Sequence, residues 1–213
     1  VISNLPRWLL VLLVVLLALA WRDWTHRPVV QPEGLRLATL PKQRMVSRQE
    51  PLQIGDFSLA LQASFDIEAR VLSSERYRLG PTADLAPIDL ALGWDVMSDQ
   101  AVVDRISVSQ GGRWYILRWD HNPPAPERVL MQSSGNMHII PADDSVRKQV
   151  FGLRDGEFVR LQGYLVNAEG PGGFRWRSSL SRDDTGDGAC ELFLVQSIEV
   201  LQPPAENQGQ QGP

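Results

Sequence analysis

The residue types most able to do chemistry lie in the C-terminal third of the chain. "SRDDTGDGACELFLVQ" (181–196) places three aspartates, a threonine, two glycines and Cys190 ahead of an apolar run. Taken as a calcium loop starting at Asp183, it has oxygen ligands at positions 1, 3 and 5 and a glycine at 6. Position 12, where a bidentate Glu is required, is Leu194. Asp183, Asp187 and Glu191 are therefore a weak candidate cation set, and a hairpin connection rich in Asp and Gly is the plainer reading. Cys190 is the single cysteine of the chain, which excludes an intramolecular disulfide and a cysteine-rich zinc site. Glu191 beside it disfavours the thiolate, so activation would need a distant base. His138 in "SSGNMHIIPA" is the candidate, with Asn136 or Ser134 to orient it. A Cys190–His138 pair has the right residue types for nucleophile and base, whereas a small buried cysteine needs no partner at all. No Gly-rich phosphate loop, GxSxG elbow or HExxH helix is present, and the motifs imply no cofactor.

Aromatic and basic residues interleave in "FRWRSS" and "RWYILRW". On an extended chain Phe174 and Trp176 share one face while Arg175 and Arg177 share the other. Together with Arg160 and Arg182 these would make a face for an anion: nucleic acid, lipid headgroup or glycan phosphate. The plainer alternative is a core aromatic pair with solvated arginines. In the second stretch Trp114 and Ile116 alternate with Tyr115, Leu117 and Trp119, so that strand is either covered on both sides or offers Trp114 or Trp119 to a partner. Asp84, Asp89, Asp95, Asp99 and Asp104 read most simply as solvated helix faces and caps, although a pair of catalytic carboxylates has the same composition.

The elements that must hold these residues follow from the pattern. The 213 residues, 43% apolar and 22% charged, suffice for one ordinary core, and a formal charge of −4 argues against a dedicated nucleic-acid binder. Residues 1–26 read as a signal anchor or transmembrane segment: no charge interrupts Trp8 to Trp21, and tryptophans flank the run. Ala18-Leu19-Ala20 keeps a cleavable signal open. The basic residues after the run oppose export under the positive-inside rule, while the secretory character of the segment favours it. Residues 27–53, with four prolines and an excess of basic side chains, read as an extended linker. Residues 203–213 read as a disordered tail.

Residues 54–202 form the globular part. "FSLALQASFDIEARVLSS" alternates from Leu59 to Val71 as one long, bent strand. Helices are expected at Pro87–Leu92, stopped by Gly93, and at Asp99–Arg105, capped by Ser98. A hairpin turns at Gly111-Gly112. A helix carries Val146, Val150 and Leu153 behind Asp143 or Asp144. A strand follows the Asp155-Gly156 turn, reverses at Gly170–Gly173, and a last strand begins near Ala189. Gly163 suits a tight bend. The expected fold is mainly β with short helices (α+β), a small OB-like partly open barrel behind one N-terminal transmembrane helix.

"DLAPIDLALGWDVMSDQAVVDRI", "NMHIIPADDSVRKQV" and "SSLSRDDTGDGACE" resemble segments of a group of uncharacterised bacterial membrane-anchored envelope proteins, over most of residues 65–200. That resemblance implies a bacterial envelope setting and transfers no activity; with the N-terminal segment, the expectation is a single-pass protein of the bacterial inner membrane with a periplasmic domain. The resulting expectation is a noncatalytic envelope protein that binds a protein partner or an anionic surface. The alternatives are an enzyme using His138, Cys190 and the Asp183–Glu191 loop, or an OB-like oligonucleotide binder.

Overall fold

The computed structural model describes residues 6–25, 27–181 and 190–202. In chain order it contains α1 (Arg7–Thr25), β1 (Lys42–Met45), β2 (Leu52–Ile54), β3 (Phe57–Arg76), α2 (Pro81–Leu85), β4 (Ile88–Gly93), a 3-10 turn (Asp95–Ser98) and α3 (Gln100–Val103). There follow β5 (Ser107–Gly111), β6 (Trp114–Arg118), α4 (Glu127–Gln132), β7 (Ser134–Pro141), α5 (Asp144–Gly152), β8 (Phe158–Gly170), β9 (Phe174–Arg177) and β10 (Glu191–Leu201). Eight strands make one mixed sheet, and β5 and β6 form a separate hairpin.

The long strand β3 shapes the sheet. Ser58–Arg70 pairs with β8, and Arg70–Arg76 pairs with β4. The path β3-β4-β7-β10-β8 therefore returns to β3, with Arg70 the one residue in both pairings. β7 and β10 meet in parallel, and the other pairings around this path are antiparallel. Bulges at Leu61/Ala63, Val71/Ser73 and Val195/Ser197 supply the curvature. At Gly163 a Cβ would lie 1.9 Å from the Leu194 carbonyl oxygen, so β10 crosses where only glycine leaves room. Inside the ring Phe65, Ile67, Leu90, Ile139, Leu161 and Phe193 pack with Val146 and Val150 of α5. The barrel expected from the sequence is corrected to a mixed eight-stranded sheet that closes on itself in part, because β3 reaches β4 only where its pairing with β8 ends.

Other expectations change as well. Residues 88–93 are strand β4 and not a helix. All six are buried, so the apolar run reflects a strand covered on both faces, where period-two alternation disappears. The cap of α3 is Asp99, which accepts from the Ala101 amide, and not Ser98. Of the supposedly solvated aspartates, Asp89 is fully buried and Asp99 is 3% exposed. No helix among the described residues is long and apolar enough to cross a membrane, which corrects the transmembrane helix. The uncharged run 8–21 rises about 21 Å at 1.5 Å per residue, short of a hydrocarbon core of about 30 Å. Its apolar side chains are nonetheless exposed, Trp8 by 64% and Trp21 by 72%.

The segment 27–53 is extended and lies against the domain. The Val29 amide donates to the Asp155 carbonyl (2.7 Å), and the Gln31 amide donates to Gln100 Oε1 (2.8 Å). Gly34 N and Arg36 Nε both reach the Asp99 carboxylate at 3.0 Å. β1 and β2 then pair with β3. Gly156, at φ +89°, must be glycine, because a Cβ there would sit 1.8 Å from the Val29 carbonyl oxygen.

Candidate functional site

Asp89 on β4 lies opposite His138 on β7 in an antiparallel pair. Their neighbours Leu90, Met137 and Ile139 fill the interior, so alternation turns Asp89 and His138 to the other face of the sheet. That placement leaves two titratable side chains with almost no access to bulk water: their side chains are 0% and 4% exposed. Burial of a carboxylate requires a cationic or hydrogen-bonded partner. Arg113 provides it, donating from Nη1 to Asp89 Oδ1 at 2.6 Å. His138 Nδ1 lies 3.0 Å from the same oxygen but without hydrogen-bond alignment, and Asp89 Oδ2 and Arg113 Nη2 also lack hydrogen-bond partners.

The turn of the β5–β6 hairpin delivers Arg113. Its backbone takes a φ of +73°, and its amide donates to the Tyr77 hydroxyl at 3.0 Å. The guanidinium lies 3.7 Å from the Tyr77 ring centroid and 5.3 Å from that of Trp176. On Trp176 the His138 ring packs at 4.7 Å between centroids. The result is a layered series Tyr77, Arg113, Trp176, His138 above one buried carboxylate. Burial pushes the Tyr77 hydroxyl's pKa up, so this ring stays a neutral phenol at ordinary pH. Phe174 meets Trp176 edge-on at 6.3 Å and Phe57 at 5.5 Å.

Over this series lies a pocket of about 490 Å³, lined by Thr82, Arg113, Trp114, His138, the strand Phe174–Arg177 and Cys190. Six residues singled out from sequence, besides Cys190, therefore meet here: Trp114, His138, Phe174, Arg175, Trp176 and Arg177. The alternation of β9 is as read, with half-buried aromatics and exposed arginines. Cys190 reaches the pocket because Leu192 is in register with His138 on adjacent parallel strands, which puts Cys190 and His138 on one face. Its Sγ lies 3.9 Å from the Arg113 carbonyl oxygen.

Other candidates fall elsewhere. Arg160 is bound through Nε and Nη2 to both oxygens of Asp66, at 3.0 and 2.7 Å, and stands in register with Glu68 and Glu199. That surface is not cationic. Trp119 packs, half-buried, against the cluster of Leu72, Met97 and Leu130. Arg182, Asp183 and Asp187 lie outside the described residues. Glu191 is buried near Gly135, and no group of three His, Cys, Asp or Glu among the described residues could hold a metal ion.

Sequence reading missed Asp89, Arg113 and Tyr77 as members of this site. Asp89 sat within an apolar run, "IDLALG", and a charge inside such a run is the signal that could have marked it. Tyr77 and Arg113 carry no local signal, since only packing brings them together. No protein-family model, curated protein or solved structure matches the chain.

Proposed function

We propose that this is a noncatalytic, membrane-associated protein of the bacterial envelope whose partly closed sheet binds an anionic group of a partner in the Trp176 pocket. The observation that carries this reading is the pocket's composition: Arg113, Arg175 and Arg177 beside Trp114, Phe174 and Trp176, over side chains held by one buried carboxylate. Cations select the charge, and rings supply apolar area at small entropic cost. The strand connectivity supports an OB-like reading, since His138 on the third strand of the closed path, β7, lines the pocket, and the segments before β4 and after β8 flank it. OB folds bind ligands on that face. Membrane association is supported by the exposed apolar helix α1, which can enter a lipid layer without crossing it.

The test is co-purification from native membranes in mild detergent with Arg177→Glu and Arg160→Ala variants. A stoichiometric partner kept by the Arg160 variant and lost by the Arg177 variant is expected. Equal retention by both, or no partner at all, overturns the reading.

A second reading is favoured by one observation: Cys190 and His138 line the same pocket and Asp89 stands behind His138. An enzyme using this thiol and imidazole would lose a pH-dependent thiol alkylation rate in His138→Asn. An unchanged profile ends that alternative.

A further inference from the structure

The binding reading leaves the ligand's chemistry open, and the pocket narrows it. Its volume of about 490 Å³ falls in the range of small-ligand sites, about 300–1,000 Å³. A folded partner would need roughly 800 Å² of surface on each side. What enters is therefore a small molecule or a protruding terminal group. The walls are Trp114, Phe174 and Trp176, and Trp114 is 40% exposed, so a ring face is open at the mouth. Among the described residues the Arg177 guanidinium has no partner, and Arg175 meets only Glu169 at 3.7 Å with both side chains exposed. Deeper in, Arg113 Nη2 is buried without a hydrogen-bond partner. His138 also lines the pocket, and its Nε2 accepts or donates no hydrogen bond among the described residues.

From these features we infer that the pocket takes a nucleotide, free or at the end of a strand: a flat ring against the tryptophans, its phosphate among the arginines, and a polar ring edge toward His138. The inference rests on the binding reading above and adds the ligand class. An inorganic anion or a lipid phosphate would satisfy the arginines and leave the aromatic walls without a flat face to stack on, and a glycan phosphate would set only the C–H face of a sugar ring, not a π face, against them. A neutral ring would leave the cations unmatched. Rigid placement favours the complex, because Asp89 holds Arg113 and His138 and these two hold Trp176.

The test uses the full chain in detergent micelles and isothermal titration. The probes are the four nucleoside 5′-monophosphates, the matching uncharged nucleosides, inorganic phosphate and a 5′-phosphorylated single-stranded oligonucleotide. Nucleotides are expected to bind about tenfold or more tightly than nucleosides or phosphate, with Trp114→Ala and Arg177→Ala each weakening them by about tenfold. Arg160→Ala, on a distant surface, should bind like the wild type. An oligonucleotide that binds more tightly, with a steeper salt dependence, identifies a strand end as the source; equal affinities identify the free nucleotide. Phosphate binding as well as nucleotides, dependent on Arg177 and indifferent to Trp114, overturns the nucleotide and leaves the anion-binding pocket. Loss of the partner in Arg177→Glu with no nucleotide binding does the same. Failure of every phosphate-bearing probe, with no Arg177-dependent partner, overturns both.

Discussion

At the scale of single residues, Asp89 has the largest consequences. Its carboxylate is fully buried, and Arg113 is its counter-charge. Removing one member of a buried pair costs about 3–5 kcal/mol, because the other is left charged and unmatched. Asp89→Ala is therefore expected to lose about that much in urea unfolding, and Asp89→Ala with Arg113→Met should recover part of the loss. Additive losses in that double-mutant cycle would show that the two side chains do not act as a pair. Asp155 makes a different case. Burial raises its carboxyl pKa, so the folded state holds the proton more tightly than the unfolded chain. Its contribution is fully favourable below the ordinary carboxylate value and is lost as pH rises through the raised one. Asp155→Asn should accordingly raise Tm at pH 7 by roughly a few degrees, and the gain should vanish near about pH 3, where aspartate is neutral in both states. Calorimetry at the two pH values checks both halves.

At the scale of elements, Asp99 fastens the N-terminal segment. Burial works against its charge, but the Gly34 amide, Arg36 and the Ala101 amide outweigh it and hold the carboxyl pKa below the usual value. The stability it adds is present above the ordinary carboxylate range and is lost as pH falls through the lowered pKa. Asp99→Ala removes a helix cap and the anchor of Gly34 and Arg36 together, for an expected loss of about 1–3 kcal/mol. Hydrogen exchange should then speed up at Gln31 and Leu37 while β8 and β10 keep their protection. Gly163→Ala should cost about 1–3 kcal/mol or more, since β10 cannot move Leu194 away from the new Cβ without breaking its pairs with β8; guanidinium unfolding measures it. Much at this scale was legible. Alternation from Leu59 to Val71 marked β3, the Gly111-Gly112 turn marked the β5–β6 hairpin, and Asp143 with Val146 and Val150 marked α5. β4 was not, because Pro87 and Gly93 imitate the two ends of a helix and full burial erases alternation. β7 is not legible either, because Ser134, Gly135 and Asn136 look like loop until β4 and β10 cover them.

At the scale of the whole molecule, α1 carries apolar side chains on all sides with nothing of the described domain packed over them. Leu12 is 47% and Leu16 54% exposed. The full chain is expected to sediment with phospholipid vesicles, and Leu12→Arg with Leu16→Arg should weaken that by about a hundredfold or more, since a charge costs about 2.5–3.5 kcal/mol at the centre of a bilayer and less toward its interface. Near-UV circular dichroism should be unchanged, because the sheet does not depend on these side chains. The same division between local pattern and packing separates what was readable from what was not. The sequence alone determined the long curved strand, the hairpin, the split of β9 into aromatic and basic faces, and a mainly β class, and marked Gly163 as a place where a side chain would crowd the wall, since each depends on periodicity or backbone freedom within a few residues. Tertiary structure decided that β3 pairs with both β8 and β4, that the 27–41 segment is fastened at Asp99, and that Tyr77, Asp89, Arg113, His138 and Trp176 share one site. Those contacts join residues far apart in the chain, and which distant side chains end up packed together leaves no periodicity within any one segment.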